Sequence, residues 1–279
     1  MVENKLIVVV GATGKQGQSV IGKLLKQGYS VRALVRNPEK STIPFDQKVD
    51  IFKGDLSNKS SLKSLLNDAY GLFFVLPYTK ESVEYGKAIL DLAKNSNVQH
   101  IVYSSVGGSD RYKKVDHYND KREIEDYLRG INKPYTILRP VGYMETFSNP
   151  QSIKLMTGML RLYLDDKSRF QLISVQDIGK FVELSFTNPD KYLGEEVEIA
   201  GDELSLNDII EKINKIKGVK LSPMRFPALV KYILPKIMKQ MFVFYAEDGW
   251  CADIDSLRKA NPELLSFDDW LETSSSYEV

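Results

Sequence analysis

Short runs of β-branched and aromatic residues recur through the first half of the chain, and most are followed by a stretch in which apolar positions fall every three or four residues. The runs are LIVVV (6–10), YSVRALVR (29–36), VDIFKGD (49–55), GLFFVLP (71–77), HIVYSS (100–105) and PYTILRP (134–140). Their nearly continuous apolar character predicts strands covered on both faces. The stretches between them, at about 15–27, 58–68, 80–96 and 117–130, carry apolar residues at helical spacing, such as Val20, Leu24 and Leu25, and predict right-handed βαβ crossovers. The fold class expected is α/β, with a doubly wound parallel sheet.

After Pro140 the alternation loosens. VGYMETFSNP reads as a loop and SIKLMTGMLRLYL as a short helical or irregular stretch. QLISV and the helix DIGKFVELSF, with Asp177 as N-cap, are expected to return to the main sheet. EEVEIAGDELSLNDIIEKINKIKG supplies a strand and a helix capped by Ser205, with Asp208 three residues on in the manner of a capping box. The expected division is a main domain over 1–148 with about 171–200, and a smaller discontinuous C-terminal lobe over about 149–170 and 201–279. The polar tail SSSYEV is expected to fray.

The first strand runs into GATGKQG, which places Gly11, Gly14 and Gly17 at a spacing of three. A strand that feeds a helix start presents unpaired N–H groups and the positive end of the helix dipole, a site suited to a pyrophosphate. Gly11 is then expected to make the tight turn, Gly14 to admit the phosphates and Gly17 to let helix and strand pack, with Thr13, Lys15 and Gln16 completing the lining. The spacing departs by one residue from the dehydrogenase fingerprint, but strand, helix and second strand stand in Rossmann-type order. At the end of the second strand, where an acid would hold the ribose of NAD, the chain has Arg36, with Arg32 and Lys40 nearby. A guanidinium there suits the 2′-phosphate of NADP(H). Asp55 closes the third strand and is a candidate for the adenine amine, while Leu76 and Pro77 end the fourth and are candidates to wall the cofactor.

Composition narrows the class. The 279 residues are 43% hydrophobic and 27% charged, as in ordinary globular proteins, and 38 Lys and Arg against 37 Asp and Glu leave a net charge of +1. That balance disfavours direct binding of nucleic acid. The single Cys251 cannot form an internal disulfide or a thiolate metal cluster, and reads as a small buried hydrophobe in a reducing compartment. No export signal is expected at the N-terminus, so the expected location is the cytoplasm, with the nucleus open as well. VKYILPKIMKQMFVFYA (230–246) is interrupted by Pro235, Lys231, Lys236 and Lys239 and cannot span a bilayer, so no membrane partner is expected.

The stretch KVDHYNDKREIEDYLRGINKPYTILRPVGYMETF (114–147) bears on chemistry. In short-chain dehydrogenases a Tyr and a Lys four residues later share one helix face, the Lys lowering the Tyr pKa and binding the ribose. Here that spacing holds His117 and Lys121, and one position on it holds Tyr118 and Arg122. Together with GATGKQG, VRNPEK, GDL, LRPVGYMETF and AGDELSL, this pattern resembles the NmrA-like family of atypical short-chain dehydrogenases, and is especially similar to its redox sensors. The resemblance runs from about residue 5 to Trp270. It implies a Rossmann fold with a smaller lobe, NADP(H) as cofactor, and Pro140 and Tyr143 as further cofactor contacts. It also implies either a sensor acting through a regulatory protein partner, with a homodimer left open, or a reductase of a quinone, enone or other small carbonyl acceptor. For the second, Lys121 would bind the ribose, His117 or Tyr118 would supply the proton, and Ser105 would polarise the carbonyl. A neighbouring ammonium lowers the pKa of an imidazole, which depletes the acid form of His117 at neutral pH. The Met and aromatic cluster MKQMFVFYAEDGW, with Phe226 and Pro227 upstream, reads as core, as cover for the nicotinamide, or as a partner face.

Overall fold

In the computed structural model, residues 5–40 and 49–274 are described, apart from the side chain of Lys40. Ten strands result: β1 (Leu6–Val10), β2 (Ser30–Val35), β3 (Val49–Lys53), β4 (Gly71–Phe74), β5 (His100–Ser104), β6 (Tyr135–Pro140), β7 (Gly142–Tyr143), β8 (Arg169–Ile173), β9 (Glu196–Ile199) and β10 (Asp202–Ser205). The helices that matter most are α1 (Lys15–Lys26), α2 (Ser82–Lys94), α3 (Asp116–Gly130), α4 (Pro150–Leu160) and α5 (Val175–Thr187). The chain forms two compact units. The first holds Met1–Val106, Asp120–Arg139 and Ile178–Val197, and the second Gly107–Asn119, Pro140–Asp177 and Glu198–Val279.

The main sheet has the order β3-β2-β1-β4-β5-β6-β9, a Rossmann-type doubly wound arrangement that reverses direction between β1 and β4. Strands β1 to β6 pair in parallel, with Val8 opposite Arg32 on one side and Leu72 on the other. Alternation along β1 sends Val8 and Val10 into a core with Leu72, Phe74, Tyr103, Ile89 and Leu90 of α2, and Ile124 and Leu128 of α3. Ile7 goes to the other face, where it and Phe186 of α5 press so closely on Gly71 that a Cβ there would meet them at 2.8 and 2.5 Å. Helices thus cover both faces, which is why the central strands β1 and β4 are apolar throughout.

The second unit has its own small sheet, β10-β8-β7, with β8 antiparallel to β10 and parallel to β7. Its core includes Met144, Phe147, Ile153, Phe170, Leu172 and Phe242. The helix Leu206–Lys217 begins with the expected capping box, Ser205 accepting from the Asp208 amide and Asp208 from the Ser205 amide.

Several expectations are corrected. QLISV forms β8 in the small sheet, not a strand of the main one. Asp177 is not an N-cap but stands in the first turn of α5, its amide capped by the Ser174 hydroxyl at 3.1 Å. Residues 58–68 form a short 3-10 turn over Lys59–Leu62 and no α-helix. Cys251 is exposed. The tail beyond Ser274 lies outside the described residues.

His100 is buried at the start of β5, where its Nε2 meets Thr136 Oγ1 at 2.8 Å. The Thr136 hydroxyl donates to the Tyr192 carbonyl at 2.6 Å, so His100 must supply the proton of the first bond. Burial lowers its pKa to about 4. An unfolded chain takes up this proton near ~6.5, so between the two values the unfolded state binds more protons and stability falls as pH drops. The expected loss is about 3 kcal/mol between pH ~6.5 and ~4. Urea titrations at the two ends of that window should show a pH difference about 2–3 kcal/mol smaller in His100→Gln. An unchanged difference would remove His100 from the account.

Candidate functional site

The C-terminal ends of β1 to β5 bring most of the expected cofactor residues to one edge of the first unit. The first turn after β1 is closed by the Gly14 amide donating to the Gly11 carbonyl at 3.0 Å. Gly11 has φ +84° and its Cβ position is taken by Val75, whose carbonyl oxygen lies 2.7 Å away. A Cβ on Gly17 would overlap the Gly11 carbonyl and stand 2.7 Å from Ala12 Cα. Both glycines are therefore required by the protein's own packing. Gly14 is different: its φ is −78°, and a Cβ there would meet only the Gly11 oxygen at 3.4 Å, ordinary contact. What glycine preserves at that position is open approach to the start of α1.

Gly14 is also the N-cap of α1, and no acidic residue stands in the first turn of that helix. The dipole's positive end is thus left without a carboxylate of its own. Thr13 and Lys15 are exposed beside it. Gln16 is turned inward, its Oε1 accepting from the Ser104 hydroxyl at 2.8 Å. This cradle suits an anionic, diphosphate-sized group.

Arg36 is exposed immediately after β2. Arg32 is not part of that set: its Nε bonds Asp50 at 2.6 Å and its NH1 the carbonyls of Leu65 and Asn67. Asp55 follows β3, its Oδ1 accepting from the Ser57 amide at 2.9 Å and the Ser57 hydroxyl at 2.8 Å. These bonds, with Arg36 contributing less, hold its carboxyl below the usual range, so an ionised acceptor stands near Arg36. The Leu76 side chain belongs to the core and only its carbonyl reaches the edge. Pro77 is exposed, its carbonyl accepting from Ser82 at 2.6 Å.

Lys121 joins this edge from α3. Its half-buried Nζ donates to the carbonyls of Leu76 at 3.3 Å and Ser104 at 3.4 Å, just past the ends of β4 and β5. Burial lowers its pKa to about 8, opposed by the negative charge of Glu125 one turn away. At neutral pH it is still mostly an ammonium, able to hydrogen-bond hydroxyl groups.

Ser105 is buried and donates to Glu125 Oε1 at 2.5 Å. Glu125, fully buried, also accepts from Arg139 at 3.1 and 2.7 Å and from Arg129 at 3.1 Å. Both arginines reach on to Glu196, Arg139 at 2.5 Å and Arg129 at 2.7 and 2.8 Å, and Arg129 chiefly brings the Glu196 pKa to about 2. The Ser105 proton is thus committed to a closed ionic network. Sequence reading missed this network, although Lys121, Glu125 and Arg129 recur at i, i+4 along one face of α3.

The remaining candidates belong to the second unit. Tyr118 is 1% exposed, packed edge-on to Phe244 with centroids 5.1 Å apart, and burial pushes its phenol well above the usual pKa. That makes it a poor proton donor. His117 is half-buried, its ring 4.6 Å from that of Tyr118. Tyr143 is half-buried in β7, and the buried Pro140 accepts from the Gly107 amide at 2.8 Å. Phe242, Phe244, Tyr245 and Trp250 form an aromatic core with Phe170, which answers the Met and aromatic cluster as packing.

Known proteins share this architecture. An NmrA-like family domain-containing protein of Dictyostelium discoideum is 28% identical over 242 residues, covering 78% of this chain and 80% of its own. Among solved structures, the NADPH-dependent quinone oxidoreductase QOR2 of Escherichia coli, complexed with NADPH, superposes with a TM-score of 0.79 at 20% identity, covering 95% of this chain and 98% of that one. The negative transcriptional regulator NmrA, in complex with NADP, superposes with a TM-score of 0.77 at 20% identity, covering 97% and 95%. These likenesses establish a shared fold. The model of the NmrA-like family matches residues 3–272, nearly the whole chain, and the protein therefore belongs to the NmrA-like family.

Proposed function

We propose that this protein binds NADP(H) and serves as a redox-sensing or regulatory binder without efficient catalysis. One observation carries the reading: the edge is equipped to hold a dinucleotide, while two of the groups suited to proton delivery or carbonyl polarisation are engaged elsewhere. The Tyr118 phenol is buried with a raised pKa, and the Ser105 proton is given to Glu125. In this reading the amides at the start of α1 hold the pyrophosphate, Arg36 the 2′-phosphate and Asp55 the adenine amine. Lys121 exchanges its bonds to the Leu76 and Ser104 carbonyls for the nicotinamide ribose. The cofactor, when bound, supplies a hydride reserve whose oxidation state a protein partner can read. Support for NADP(H) comes from Arg36 just after β2 and from the NADPH and NADP carried by the two structural relatives.

Replacing Arg36 with Asp should weaken NADPH about tenfold or more, the worth of a lost charge-assisted bond, and change NADH little. Calorimetry with both cofactors checks this, and equal losses would refute the assignment.

A second reading is an NADPH-dependent reductase of a quinone, enone or other small carbonyl acceptor. It is favoured by the position of His117 one turn before Lys121 on α3. Titration with NADPH, NADP+, NADH and NAD+, followed by an acceptor assay on the same sample, separates the two. Preference for the reduced cofactor without turnover supports the sensor. Steady NADPH consumption, lost in Lys121→Ala and His117→Ala, supports the reductase.

A further inference from the structure

The segment from Phe226 onward divides in two. Phe242 and Phe244 are interior, so a charge at Phe242 would break the core of the second unit and not a partner face. The preceding turn is the opposite case. Leu229, Tyr232 and Ile233 are 75%, 77% and 81% exposed. They flank or lie on the helical turn Val230–Ile233, between Pro227 and Pro235, at positions i, i+3 and i+4, and therefore share one face.

The charges around them are segregated. Between Glu211 and Glu247 the chain has eight lysine or arginine residues and no aspartate or glutamate, although its net charge is only +1. Two of these cations are matched from outside the segment, Lys212 by Asp268 at 2.7 Å and Lys236 by Asp116 at 2.7 Å. Beside the exposed turn, Lys231 and Lys239 have no acidic partner among the described residues. Lys231 lies over the Tyr163 ring at 5.0 Å, and Lys239 donates to the Tyr232 carbonyl at 3.2 Å.

We propose that this face docks on an anionic lipid surface, with Leu229, Tyr232 and Ile233 entering the headgroup region and the surrounding lysines meeting lipid phosphates. A protein partner fits less well, because interface cores are depleted of lysine, whereas Lys231, Lys236 and Lys239 stand along the chain beside these apolar residues. A bilayer interface accepts both: tyrosine sits at headgroup level, and a lysine stem lies along apolar surface with its ammonium among phosphates. None of the described helices is long and apolar enough to cross a membrane, and docking needs only the tip. The proposal is independent of what the first unit binds.

The test is co-sedimentation of the full chain with vesicles of phosphatidylcholine alone and with phosphatidylglycerol added. Binding should favour the anionic vesicles by about tenfold or more, and weaken in high salt as the charges are screened. Tyr232→Ser/Ile233→Ser and Lys231→Glu/Lys239→Glu should each reduce it about tenfold while leaving the circular dichroism and the melting temperature unchanged. Equal binding to neutral vesicles, full binding by both variants, or no binding at all would overturn the proposal. So would self-association lost in Tyr232→Ser/Ile233→Ser without any vesicle binding, since the face would then meet a second copy of the chain.

Discussion

Arg139→Met should destabilise the protein by about 3–5 kcal/mol, the usual cost of removing one partner from a buried ion pair. Arg139 is 4% exposed and bonds both Glu125 and Glu196. Without it Glu125, a fully buried carboxylate, loses two charge-assisted bonds, of 3.1 and 2.7 Å. The comparison that isolates the mechanism is the double variant Arg139→Met/Glu125→Met, which removes the stranded charge as well and should recover at least half of the loss. Urea denaturation at neutral pH reads both. A loss below about 1 kcal/mol would mean that the network is ornamental to stability.

The second large effect separates two neighbouring glycines. Gly17→Ala places a methyl group against main-chain atoms of Gly11 and Ala12, which cannot rotate away. About 3 kcal/mol or more of destabilisation is expected, at the upper end for overpacking. Gly14→Ala meets nothing closer than 3.4 Å and has a φ of −78° open to any residue. Its melting temperature should therefore stay close to that of the natural chain. Under the proposed function its affinity for NADPH should fall about tenfold or more, because the added methyl group would stand on the proposed path of the diphosphate. Thermal scans with and without cofactor distinguish the cases. A Gly14→Ala protein that binds normally would remove the cradle from the proposed function.

Much of this was legible along the chain. Each of the six strand runs of the first half became a strand, most plainly β1 and β4, where residues buried on both faces leave a continuous apolar signature. The stretch 58–68 misled because its polar side chains compete for the backbone. Ser61 donates to the Asn58 carbonyl and Ser60 to the Asn58 side chain, so a 3-10 turn wins over a helix. β8 misled for another reason: an apolar run shows that a strand is buried but not which sheet receives it. The fates of Ser105 and Tyr118 were hidden in the same way. A serine at a strand end and a tyrosine at a helix start carry no local mark of Glu125, twenty residues on, or of Phe244, far beyond. The position of Lys121 at the sheet edge was legible from spacing, since the helix itself delivers it there.

The first unit is assembled from three separated stretches of chain, and this bears on its birth at the ribosome. Phe186, which seals one face over Gly71 and Ile7, and β9, which lies against β6, are translated long after the six strands they complete. Until then a nascent polypeptide displays a half-clothed sheet with an open border, the kind of surface that invites pairing with other chains. Truncation shortly after β6 should therefore yield insoluble material, not a smaller working nucleotide binder.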